Sequence, residues 1–147
     1  MPMTPAAHYA PLWKRLLAGL YDLFPLVALW MIATALWMPF SHGQARLQQE
    51  PLQSLYRLTL IGVTVAYYAW SWHRGGATIG MRAWRLRVQT EAGALLSFRA
   101  ASGRFAFGLV ALACAGIGLG WALFDRKRRM WHDLWPGTVV VVIAAKK

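Results

Sequence analysis

The chain has 147 residues, of which 58% are hydrophobic and only 14% charged, with nine tryptophans, whereas an ordinary soluble domain carries about 25% charged residues. A formal charge of +11 would suit nucleic acid on a soluble scaffold, but here the basic residues lie between long uncharged stretches; that pattern excludes a nucleic-acid partner and fits the anionic headgroups of a lipid bilayer. The lone cysteine, Cys114, excludes an intrachain disulfide and a cysteine-based metal cluster, and its apolar setting suggests a small packing residue.

Residues 1–12, MPMTPAAHYAPL, are rich in proline and alanine and read as a loosely ordered lead-in. A first span is expected over 13–40, because Leu23 to Phe40 is uncharged for 18 residues, the length needed to cross a bilayer. Lys14-Arg15 before an apolar run, with Ala33-Thr34-Ala35 further on, has the outline of a signal peptide. The run is too long for that role and contains Trp30 and Trp37, so an uncleaved span is the expectation. Pro25 removes one helical hydrogen bond just after Asp22, which predicts a kink or a freed carbonyl there.

A second span is expected over 52–72. Arg57 interrupts its start and must snorkel or find a partner. Tyr67, Tyr68, Trp70 and Trp72 form its aromatic end, as at a membrane–water interface. Residues 73–98 are basic. In WRLRVQ, Trp84, Leu86 and Val88 alternate with Arg85, Arg87 and Gln89, the period of a half-buried strand. TEAG then reads as a turn and ALLSF as a return strand. The third apolar region, 99–124, could cross once, yet a crossing would strand Arg126-Lys127-Arg128-Arg129 on the wrong side if the N-terminus is cytoplasmic. Its centre, CAGIGLG, favours bending. Two short helices, about 98–113 and 116–124, are therefore expected to form a hairpin, with Gly116 and Gly120 spaced for close packing. Residues 125–147 form a basic cytoplasmic segment that ends in a strand, TVVVVIA, paired with the 73–98 hairpin. The fold class is thus an all-α, multi-pass helical bundle in a single domain over 1–147, with a small cytoplasmic β element.

Asp22 is the charge that most needs explaining. Arg15 lies seven residues before it, about 10.5 Å along a helix on the same face. An ionised acid at the bilayer centre costs about 2.5–3.5 kcal/mol on insertion scales. Arg57 and Arg104 are the candidate partners for a register-fixing ion pair, and a proton or ion site is the sharper alternative. Asp125, His132 and Asp133 in FDRKRRMWHDLWPGT invite a catalytic reading, but no nucleophile is spaced near them. A basic interfacial helix anchored by Trp131 and Trp135 is the plainer expectation. No enzyme activity and no metal site are expected.

Three stretches together resemble the RDD family of integral membrane proteins. Arg15, Ala18 and Asp22 in RLLAGLYD match its opening Arg-x-x-Ala-x-x-x-Asp pattern, and TIGMRAWRLRV is similar to its central T-x-G-[KM]-R stretch. WALFDRKRRMWHDLWPGTVVV resembles the closing segment, with Asp133 as the second aspartate and Gly137-Thr138 before the valine strand. The resemblance singles out Arg15, Asp22 and Asp133 and implies a family of unknown or transport-related function. Two functions remain open. One is transport of a small ion or solute with Asp22 as the titratable group. The other is a non-transporting accessory or scaffold role. Both place the chain in the cell inner (plasma) membrane with both termini cytoplasmic, with a homo-oligomer one way to enclose a pathway.

Overall fold

The structure, a computed structural model, describes residues 8–41, 49–114, 120–134 and 137–143. The first helix, α1 (Leu12–Ser41), runs for 30 residues and continues through both Pro25 and Pro39. It is long and apolar enough to cross a membrane, and only 22% of its most apolar stretch is buried inside the chain. Phe24 is 75% and Phe40 77% exposed. Side chains of that size on the outside of a helix call for an apolar surrounding.

The second helix, α2 (Leu52–Gly75), spans 24 residues and ends on Gly76, whose φ of +65° forms a left-handed cap. A Cβ on Gly76 would lie 2.7 Å from the Val88 carbonyl oxygen, so the helix can stop against the sheet only with glycine at that position. Of the expected aromatic end, Trp70 is exposed with the Arg74 guanidinium over its ring. Trp72 is instead buried and stacks with Tyr68. These rings pack inward because α4 (Phe98–Ala113) crosses here, bringing Phe105 onto Tyr68.

A five-residue helix, α3 (Ile79–Ala83), leads into strand β2 (Leu86–Thr90). Leu86 and Val88 are buried, as the alternation predicts, while Arg85 is exposed. Strand β3 (Thr138–Val142) pairs antiparallel with β2 in the register Leu86 to Val142 and Thr90 to Thr138. Two expectations fail here. ALLSF is not a return strand: Leu96 is buried as a plug, and the Ser97 hydroxyl accepts from Ala100 N–H, capping α4 one residue later. The third strand comes instead from the lead-in. His8–Tyr9 form β1, pairing with Val142 and Val141, so β3 is central in the order β1-β3-β2.

The bend expected at CAGIGLG, including Gly116, lies outside the described residues, as do Trp135 and Pro136. Of the expected helix 116–124, the described part is a 3-10 turn at Trp121–Leu123. Cys114 is exposed, not packed. A last turn of helix, α5 (Trp131–Leu134), precedes β3. The core gathers where helices meet sheet, around Ala18, Ala69, Ala101, Met81, Leu86 and Val88. Buried alanines at helix crossings let the backbones approach closely.

Candidate functional site

Two buried carboxylates organise the sheet end of the bundle. Asp22 on α1 is 2% exposed. Its Oδ1 accepts from the Tyr67 hydroxyl at 2.7 Å and the Gly80 N–H at 2.8 Å, and its Oδ2 accepts from the Thr78 hydroxyl at 2.6 Å. The Thr78 hydroxyl also accepts from Met81 N–H at 3.2 Å, so one side chain caps α3 and ties it to α1. The expected arginine partners are not there. Arg57 is exposed on α2, and Arg104 is engaged elsewhere. Neutral donors replace them because Ala18 brings α1 against α3 so closely that a Cβ on Gly80 would overlap the Ala18 carbonyl oxygen. The Thr-x-Gly stretch thus offers a hydroxyl and a bare N–H to one carboxylate.

The second carboxylate, Asp133, is fully buried. Arg15 Nη2 and Arg104 Nη1 both pair with it, one from α1 and one from α4. Met130 N–H donates to its Oδ2 at 2.9 Å. Arg104 also donates to the Thr138 hydroxyl at 2.9 Å, and Arg15 to the Arg128 carbonyl at 2.7 Å. Burial alone would raise the Asp133 pKa, but the Arg104 and Arg15 guanidiniums hold it well below the usual carboxylate range. His132 Nε2 lies 3.8 Å from Asp133 Oδ1, a distance that invites an ion pair. Burial, reinforced by the Arg104 charge, instead lowers the His132 pKa to about 3, so the ring is neutral at pH 7.

Arg15, Ala18 and Asp22 therefore do three jobs from one face of α1: pairing with Asp133, contact with Gly80, and anchoring of Thr78. Asp125 stands apart from this cluster. It accepts from Lys127 and Arg129 N–H and from the Arg129 guanidinium, and Glu91 pairs with Lys127 at 2.9 Å and Arg129 at 3.1 Å. The Arg129 hydrogen bond is the main cause that lowers the Asp125 pKa, and Lys127 does the same for Glu91.

Both buried clusters border a cleft of about 440 Å³, within the roughly 300–1,000 Å³ of small-molecule sites. Arg15, Asp22, Arg104 and His132 lie on its wall toward the sheet. Leu26, Trp30, Thr64 and Leu109 line it away from the sheet, where Trp30 Nε1 donates to the Thr64 hydroxyl at 2.9 Å. Helix α1 packs on α2 and α3, and α2 packs on α4, while α1 and α4 face one another across the cleft. The sequence singled out Arg15, Asp22, Arg104 and Asp133. It missed Tyr67 and Thr78 as partners of Asp22, although Thr78 and Gly80 stand in the TIGMR stretch. Among the described residues no group of His, Cys, Asp or Glu is arranged to hold a metal ion.

The model of the RDD family matches residues 9–137. No curated protein and no solved structure matches the chain.

Proposed function

The chain belongs to the RDD family of membrane proteins, and from that premise we propose that it is a multi-pass protein of the plasma membrane that holds and passes a small ion or solute through the cleft between α1, α2 and α4. The observation that carries this reading is the cleft itself, which has the Asp22 carboxylate on its wall and two guanidiniums at the same end. A chamber bordered by ionisable groups among apolar helices is the usual mark of a solute path. In this reading Asp22 is the titratable group.

The topology rests on three supports. Among the described residues, helix α1 is the one that meets the length and hydropathy of a span. At 24 residues α2 is about 36 Å long, enough to cross with Arg57 near its start snorkelling outward. Strands from near both ends of the described chain and from its middle share one sheet. That arrangement favours an even number of crossings, both termini in the cytoplasm, and a basic face on anionic headgroups.

Flux into liposomes tests the proposal. Asp22→Asn is expected to abolish a pH-dependent flux while the protein stays folded. A second reading, an accessory protein whose buried charges serve packing, draws support from the saturation of Asp22 and Asp133 by donors. It gains if reconstituted protein moves nothing across a range of ions, or if Asp22→Asn acts through folding alone. Neither reading assigns catalysis to the His132–Asp133 pair, since Asp133 is committed to Arg15 and Arg104.

A further inference from the structure

The run Arg126-Lys127-Arg128-Arg129 divides its charges between two neighbours. Lys127 and Arg129 turn to Glu91, at 2.9 and 3.1 Å. Arg126 and Arg128 are exposed, have no carboxylate partner among the described residues, and line a recess of about 410 Å³ against the start of α1. Asp125 also borders this recess, but both its oxygens are taken by the Lys127 and Arg129 N–H groups and the Arg129 guanidinium. The turn is held from α1 as well, where Arg15 donates to the Arg128 carbonyl at 2.7 Å. Two free guanidiniums on a braced turn suit a phosphate, whose oxygens match the parallel N–H bonds of the planar group.

The remaining wall of the recess is apolar and open to the surroundings. Trp13, Leu16 and Leu123 line it, Leu123 being 69% exposed and the adjoining Phe124 86%. Leu20, one turn along α1 from Leu16, is exposed too, so the apolar surface continues onto the helix that has the length of a span. The Lys14 ammonium lies over the Trp13 ring at 5.4 Å, a pairing of cation and indole that belongs at headgroup depth. A soluble phosphate gains nothing from these side chains, whereas a lipid lays its chains along Leu16 and Leu20. The headgroup charge is selected as well. With Asp125 saturated, the recess offers no free carboxylate to the ammonium of a zwitterionic lipid.

We propose that this recess is a site for one anionic phospholipid of the cytoplasmic leaflet, its phosphate on Arg126 and Arg128 and its acyl chains beside Leu16 and Leu123. This narrows the basic face described above to one site and rests on the plasma-membrane reading given there.

Native mass spectrometry of the full chain in detergent, stripped of lipid, tests the site with dioleoyl phosphatidylglycerol, dioleoyl phosphatidylcholine and glycerol 3-phosphate as probes. The first phosphatidylglycerol adduct is expected to be at least tenfold tighter than that of phosphatidylcholine, and undisturbed by equimolar glycerol 3-phosphate. Arg126→Gln combined with Arg128→Gln should melt like the parent, since neither guanidinium is paired, and lose the preference tenfold or more. Arg82→Gln combined with Arg99→Gln removes the same charge from exposed positions away from the recess and should keep it. Leu123→Ser retains both arginines and should weaken the phosphatidylglycerol adduct several-fold, a readout that stands even if the first double variant unfolds. An equal loss in the two double variants would reveal a diffuse field with no site in it and overturns the proposal. Equal affinity for the two lipids, or displacement by glycerol 3-phosphate, overturns it too. Selective binding by a protein that moves no solute in liposomes leaves the site standing and counts against transport, whereas flux without lipid selectivity does the reverse.

Discussion

Gly80 donates its N–H to Asp22 at 2.8 Å from a position where any Cβ would overlap the carbonyl oxygen of Ala18. The close approach of α1 to α3 and the hydrogen bond to the buried acid are therefore one requirement, met by a residue with no side chain. Gly80→Ala is expected to destabilise the protein by about 1–3 kcal/mol, the range for overpacking a close contact. Denaturation in a mixed detergent series reads it, and a parent-like transition would show that α3 can move away freely.

Thr78 serves the same carboxylate and also caps α3. Thr78→Val keeps the shape and removes the hydroxyl, so it should cost about 1–3 kcal/mol as a buried carboxyl oxygen loses its donor. Thr78→Ser should restore most of that, since its hydroxyl reaches both partners. Equal stability of the valine and serine variants would mean the hydroxyl contributes nothing.

Asp133→Asn leaves Arg15 and Arg104 facing each other with no buried counter-charge, a change expected to cost about 3–5 kcal/mol. Glu91→Gln breaks a pair of exposed bridges to Lys127 and Arg129, and surface pairs of that kind contribute little because solvent screens them. The contrast between the two variants, measured side by side at low and high salt, is the test. Only the Glu91 effect should shrink with salt.

Acid should weaken the fold through His132. Its folded pKa is depressed from 6.5 to about 3, so the unfolded chain binds a proton first, and stability falls as pH drops from 6.5 toward 3. Asp133 adds to this at the acid end, because its depressed folded pKa means that its contribution is present above the unfolded carboxylate value and lost below it. Melting curves from pH 7 to pH 4 should therefore slide downward, and His132→Phe should flatten the slide over that window. A parent protein whose melting is independent of pH there would show that the ring protonates in place.

The sequence was most legible where chemistry and period agree. The uncharged run after Asp22 marked α1, and the alternation around Leu86 together with the valine run marked the paired strands. Asp22, Arg15 and Asp133 stood out because charge is costly among apolar residues. The donors around Asp22 were harder to read, because a tyrosine hydroxyl, a threonine hydroxyl and a glycine N–H carry no charge to draw attention. Arginine was expected there on charge balance, yet Arg104 is committed to Asp133 and the Thr138 hydroxyl. ALLSF has strand-like composition, but the Ser97 hydroxyl caps a helix that begins at Phe98. Two residues, His8 and Tyr9, are too few to display any alternation.

The central position of β3 has a consequence for biogenesis. As the chain leaves the ribosome, β1 and β2 emerge first with no strand between them, and their shared neighbour follows only after α1, α2 and α4 have been made. Synthesis of the three long helices therefore precedes closure of the sheet, and the pairing of Val141 and Val142 with both flanking strands is a late latch on the helices already made.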